Sequence, residues 1–153
     1  MPQQNELVIV DSCVFLSKWL DDDVAYQIVD SDSFFESAKL CHYCIGMHGI
    51  VLNEVQNKYP FLVANLNQFA QELLNENKLC KIEEDIPESE VKKVKNDAKS
   101  RGYPISKIDA FLAILANRKK LRLVSFDQKL VDYCNDVGWD AEYPTNLINL
   151  ESP

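Results

Sequence analysis

The chain has 153 residues, 46% hydrophobic and 26% charged, with a formal net charge of −8 at pH 7. That length matches one globular domain, residues 1–153, with enough apolar side chains to bury a core without staples, and the composition excludes a disordered chain. No apolar run is long enough to cross a bilayer, MPQQNE carries no secretion signal, and five cysteines lack framework spacing, so a reduced, cytoplasmic protein is expected.

The first strong element is LVIVD, residues 7–11, a continuous β-rich run of the kind buried on both faces of a parallel sheet, ending on Asp11. Residues 13–20 and 33–48 read as helical, with Asp21 to Asp23 as a solvated loop between them. GIVLNEVQNKYP, residues 49–60, carries apolar residues to one side of Glu54 and closes on a proline, and residues 61–78 have helical spacing of leucines and Phe69. LCKIEED reads as a second strand, ESEVKKVKNDAKSRG as a basic helix stopped by Gly102, and IDAFLAILANRKK as an apolar helix. LRLVSF is a third strand, QKLVDYCNDVG a helix, WDAEY a candidate last strand and TNLINLESP a tail. Strands alternating with helices predict α/β architecture with a central parallel sheet.

The acidic balance hides an uneven distribution. Residues 92–122 hold ten of the sixteen Lys and Arg and only two acids, Asp97 and Asp109. An acidic body with one basic stretch can hold a phosphate backbone locally, because screening limits each charge to about 8–10 Å at physiological salt. The same stretch also fits a solvated helix face followed by a basic turn.

In an open α/β sheet ligands collect beyond the carboxyl ends of the strands, and Asp11 and Asp127 both stand there, after LVIV and LVSF. Asp109 heads the helix that leads into the second of these strands. No Lys or Arg is adjacent in sequence to Asp11 or Asp127, so carboxylates meeting at one rim would repel until a hard divalent cation balanced them. Mg²⁺ or Mn²⁺ suits oxygen ligands and supports phosphodiester hydrolysis. Each acid also has a purely structural role open to it, Asp11 and Asp127 as helix N-caps and Asp109 as a cap or first-turn acid.

VIVDSCVF, VLNEV, SKIDAFLAILA and LVSFD, in this order, resemble the four motif blocks of the PIN domain, a nuclease fold, across nearly the whole chain. The resemblance implies a three-layer α/β/α fold with a parallel sheet of four to five strands, and a metal-binding quartet of Asp11, Glu54, Asp109 and Asp127. It further implies Mg²⁺ or Mn²⁺ as cofactor and endoribonuclease activity of the kind seen in VapC-like toxins, with RNA as substrate. A cognate antitoxin and a homodimer are compatible with it. Ser12 matches the small hydroxyl residue that follows the first acid, and Ser125 the Ser or Thr two before the last. Cys13 stands where the pattern has Asn or Ser. Glu54 enters through the resemblance alone, since by itself it reads as an exposed helical acid. Lys92, Lys93, Lys95, Arg101 and Lys107 are the candidates to steer the substrate backbone.

Cys41, Cys44 and His48 fall on one helical stripe and are zinc-type ligands, but no second Cys or His pair exists, and a packed face is the alternative. Cys13, Cys80 and Cys134 read as small core residues. Asp132 could support the rim or face solvent. Two other functions remain open: a catalytically silent PIN-like module binding RNA or protein, and a metal-dependent phosphatase for small esters. No phosphate-cradling glycine loop is present to favour the latter.

Overall fold

The computed structural model describes residues 6–21, 28–40 and 43–147. Strand β1 (Glu6–Val10) is followed by the short helix α1 (Ser12–Leu16), and α2 spans Ile28–Lys39. Then come β2 (Tyr43–His48), α3 (Gly49–Lys58), a 3₁₀ turn at Pro60–Leu62, α4 (Val63–Asn75) and β3 (Leu79–Ile82). The second half runs α5 (Glu88–Ser100), α6 (Lys107–Lys119), β4 (Arg122–Val124), α7 (Gln128–Asp136) and β5 (Ala141–Glu142), closing on a 3₁₀ turn at Pro144–Leu147.

The five strands form one sheet in the order β3-β2-β1-β4-β5, and every neighbouring pair is parallel. Tyr43 and His48 are an odd number of residues apart on β2 and so point to opposite faces. Tyr43 stacks on Phe34 of α2, and His48 meets Phe111 of α6, so the two helices cover opposite faces and make three layers. The strand order turns back between β1 and β4, and it is beyond the carboxyl ends of strands at such a reversal that open α/β sheets take their ligands.

Two sequence expectations need correction. Residues 43–48 are a strand, not the end of a helix over 33–48; α2 stops at Lys39. The cause is visible at Gly46, where an added Cβ would stand 3.0 Å from Ile9 Cδ1, 2.8 Å from Ile82 Cδ1 and 3.1 Å from the Val8 carbonyl oxygen. Gly46, inside the span expected to be helical, is the point where β2 fits between β1 and β3. Cys80 is the second correction: it lies exposed on the edge strand β3, not in the core, whereas Cys134 is buried.

Helix α6 shows why its sequence is apolar on all sides. Residues Ala110 to Ala116 are all buried, against β1 and β4 on one side and α5 and α7 on the others. Ser106 caps it by accepting from the Asp109 N–H at 3.1 Å, and Lys120 ends it in the left-handed region at φ 57°. The cap places Asp109 in the first turn, at the carboxyl end of the sheet. No helix among the described residues is long and apolar enough to cross a membrane.

Candidate active site

Asp11 ends β1 and caps α1. Its Oδ1 accepts from the Ser12 N–H at 2.7 Å, while its own N–H donates to the Val124 carbonyl at 3.0 Å, joining the ends of β1 and β4. Its Oδ2 accepts from Ser125 Oγ at 2.8 Å. Ser125 Oγ in turn accepts from the Asp127 N–H at 3.0 Å, so one buried hydroxyl serves two acids. Asp127 caps α7, accepting from Lys129 N–H at 3.0 Å and Leu130 N–H at 3.4 Å.

Glu54 comes from α3 and is buried, contrary to its reading as an exposed helical acid. Ser12 Oγ donates to Glu54 Oε1, and lies 3.4 Å from Asp11 Oδ1, so it sits between two carboxylates. Asp109 reaches the same place from α6, close enough for the charges of Asp11, Asp127 and Glu54 to raise its proton affinity. The four acids are thus brought together from four separate segments.

Their crowding is written in their proton affinities. Burial, then the Glu54 charge, pushes Asp11 up to about 6 from an ordinary 3.8, against the pull of the Ser125, Ser12 and Cys13 hydrogen bonds. Burial and the charges of Asp11, Asp127 and Glu54 push Asp109 up to about 9. Carboxylates that repel one another and lack water hold protons. Cys13 packs into the same corner, 3.5 Å from Asp11 Oδ2 and 3.4 Å from Ser125 Oγ, and its sulfur accepts from the Phe126 N–H at 3.4 Å. Burial and the Asp11 charge hold its thiol well above the usual range. It therefore packs at the site, and serves as more than the core filler that its sequence context implied.

The donor set is all oxygen, the chemistry of a hard divalent cation. Among the described residues no three His, Cys, Asp or Glu side chains already stand in metal-ligand positions, and Ser12 Oγ holds Glu54 and Asp11 in their present spacing.

The basic candidates separate. Lys107 begins α6, two residues before Asp109, and shares Glu88 with Lys92 at 3.6 and 3.8 Å. Lys93 is exposed and Lys95 half-buried on the same helix as Lys92. Arg101 pairs with Asp97 and Asp136, and Asp136 ends α7, about 13 Å along the helix axis from Asp127. The structure does not bring Arg101 to the acids. Sequence reasoning missed Lys58, whose Nζ stands 3.7 Å from Glu54 Oε2. The signal was its i,i+4 spacing from Glu54 on one helix.

Cys44 and His48 lie on β2, not on a helical stripe, and Cys41 lies outside the described residues, as do Asp22 and Asp23. His48 is occupied structurally: Nδ1 accepts from the Ile50 N–H at 3.0 Å to cap α3, and Nε2 is 2.7 Å from the Glu84 carbonyl oxygen. Asp132 accepts from Tyr143 Oη at 3.4 Å, toward β5.

No family model matches the sequence, and no curated protein is similar to it. Among solved structures, FitAB bound to the IR36 DNA fragment aligns over 95% of this chain and 98% of that one, with a TM-score of 0.60 and 14% identity. VapBC2 from Rickettsia felis, bound to a DNA fragment from their promoter, aligns over 90% and 98%, with a TM-score of 0.58 and 16% identity. PAE2754 from Pyrobaculum aerophilum aligns over 95% and 94%, with a TM-score of 0.56 and 17% identity. At such identities the likeness is one of fold: a three-layer α/β/α, PIN-like architecture over almost the full chain.

Proposed function

We propose that the chain is a divalent-metal-dependent endoribonuclease, held in check by a cognate antitoxin. One observation carries this reading: Asp11, Glu54, Asp109 and Asp127 converge at the carboxyl ends of β1 and β4, where the strand order reverses and an open α/β sheet takes its ligand. A purely structural role accounts for each acid singly, as cap or first-turn residue. It does not account for bringing all four into mutual repulsion.

In this reading the four carboxylates hold Mg²⁺ or Mn²⁺. Bound there, the cation supplies balance for phosphoryl charge and a nucleophile at neutral pH by acidifying water. Ser125 orients Asp11 and the Asp127 loop together, and Ser12 sets the spacing between Asp11 and Glu54. Lys107 and Lys92, paired with Glu88 beside the start of α6, draw the RNA backbone toward the rim, with Lys93 and Lys95 extending the basic face. Arg101, engaged at the far end of α7, has no part in it. The antitoxin is proposed from the fold shared with FitAB and VapBC2, and a homodimer from the resemblance of the sequence to PIN domains alone.

The test is cleavage of single-stranded RNA and of the matching DNA by wild type and Asp11→Asn, with Mn²⁺, with Mg²⁺ and with EDTA. RNA cut only by wild type and only with metal is the expected result. Undiminished cutting by Asp11→Asn overturns the assignment. A catalytically silent binding module is the second reading, favoured by the lack of three side chains already in ligand positions among the described residues. It predicts no rise in melting temperature with either cation, since only a ligand of the native state stabilises it.

A further inference from the structure

We propose that Lys58 and Phe61, with Tyr59 behind them, form a subsite for one nucleotide of a single-stranded polynucleotide, beside the acidic cluster. The inference rests on the nuclease reading and adds where its substrate lies.

Lys58 is the last residue of α3, one turn beyond Glu54. Its Nζ stands 3.7 Å from Glu54 Oε2, yet the Lys58 side chain is 59% exposed while that of Glu54 is 7% exposed. Asp11, Asp109 and Asp127 form no such ion pair among the described residues. Lys58 is therefore a cation seated at the edge of the acids and open to solvent, positioned to meet a phosphate that approaches them.

The chain then leaves the helix. Tyr59 has φ −138° and ψ 65°, and Pro60 opens the short 3₁₀ turn that carries Phe61. Phe61 is 70% exposed, the largest exposure among the large hydrophobic side chains described. Its ring stands at 90° to that of the half-buried Tyr59, with centroids 6.1 Å apart, and at its 70% exposure it still leaves ring surface to solvent. A single exposed apolar residue is ordinary. The placement is what singles this one out: three residues span at most about 11 Å, so an open aromatic face lies within a nucleotide or two of Lys58.

A phosphate on a lysine beside a base on an aromatic ring is the arrangement by which proteins hold single strands without reading sequence. A base inside a duplex has both faces stacked and cannot lie on Phe61. The subsite therefore selects unpaired strands, and it does not separate RNA from DNA, because every base offers a π face.

The test is fluorescence anisotropy of a labelled 12-nucleotide single strand, and of the same strand in duplex, in Ca²⁺, with full-length wild type, Phe61→Ala, Phe61→Trp and Lys58→Ala. A parallel cleavage assay uses the same proteins in Mn²⁺. Expected are preference of wild type for the single strand, about 5- to 50-fold weaker binding by Phe61→Ala, and recovery in Phe61→Trp. Lys58→Ala should lower the slope of log affinity against log salt by about one. Wild-type affinity in Phe61→Ala, while wild type still cuts, overturns the subsite. So does a change in the sedimentation of Phe61→Ala at unchanged affinity, which assigns the ring to a contact between copies of the chain. A wild type that holds the strand through Phe61 but cuts nothing overturns the nuclease reading and leaves the subsite standing.

Discussion

Ser125 Oγ donates to Asp11 Oδ2 at 2.8 Å, fastening the end of β4 to the end of β1 through a fully buried hydroxyl. Because the same oxygen accepts from the Asp127 N–H, the positions of two acids depend on one side chain. Ser125→Ala leaves a buried carboxylate short of a donor and a backbone N–H short of an acceptor. The expected loss is about 1–3 kcal/mol in urea unfolding. The Ser125 hydrogen bond also lowers the proton affinity of Asp11, so its removal should move the onset of cleavage to higher pH. A variant with wild-type stability and an unmoved pH profile would refute this role.

The raised proton affinities of Asp11 and Asp109 set a pH dependence of stability. Relative to an ordinary carboxyl, both bind more protons in the folded state above pH 4, so unfolding releases protons and stability falls as pH rises. Their contribution is complete below about pH 4 and is lost as pH passes about 6 for Asp11 and about 9 for Asp109. The melting temperature of metal-free protein should therefore decline between pH 5 and 9, and saturating Mn²⁺ should flatten the decline. Asp109→Asn carries no charge and should melt a few degrees above wild type at pH 8.5 without metal, while losing cleavage. Scanning calorimetry across this range decides it, and a metal-free melting temperature that rises toward pH 9 would contradict the crowding.

Legibility in the sequence followed the physics of each element. LVIV and LVSF are short apolar, β-rich runs of the kind a buried parallel strand gives, and each leads to its acid at the rim, so Asp11 and Asp127 could be found from the residues alone. Helix α6 was legible for the same reason, being apolar on every side. Strand β2 was not, because YCIGMH alternates weakly and its glycine mimics a break; the requirement for Gly46 comes from β1 and β3, which are distant in sequence. Glu54 and Lys58 escaped residue-level reasoning because α3 has little amphipathic contrast, and the burial of Glu54 depends on Ser12, 42 residues away.

That long-range requirement at Gly46 is itself testable. The Ile9 and Ile82 side chains could shift aside for a methyl group, but the Val8 carbonyl oxygen, 3.1 Å from the added Cβ, belongs to the neighbouring strand. Gly46→Ala should cost about 1–3 kcal/mol as an overpacked core substitution, and Gly46→Val more. Because β2 leads directly into α3, the strain should also displace Glu54 and reduce cleavage beyond what lost stability explains. Chemical unfolding of the two variants, with cleavage measured well below their melting temperatures, checks both effects.

Asp127 separates the structural from the chemical role of a single acid. As N-cap of α7 it accepts from the Lys129 and Leu130 N–H groups, and an asparagine side-chain oxygen caps a helix about as well. Asp127→Asn should therefore keep stability within about 0.5 kcal/mol of wild type, or exceed it by relieving Asp109. Cleavage needs the charge that asparagine lacks, and should fall by about 100-fold or more. Asp127→Ala loses cap and charge together, so it should show the same catalytic loss plus about 1 kcal/mol of destabilisation. Equal cleavage by wild type and Asp127→Asn would reduce this residue to its cap and remove it from the metal-holding set.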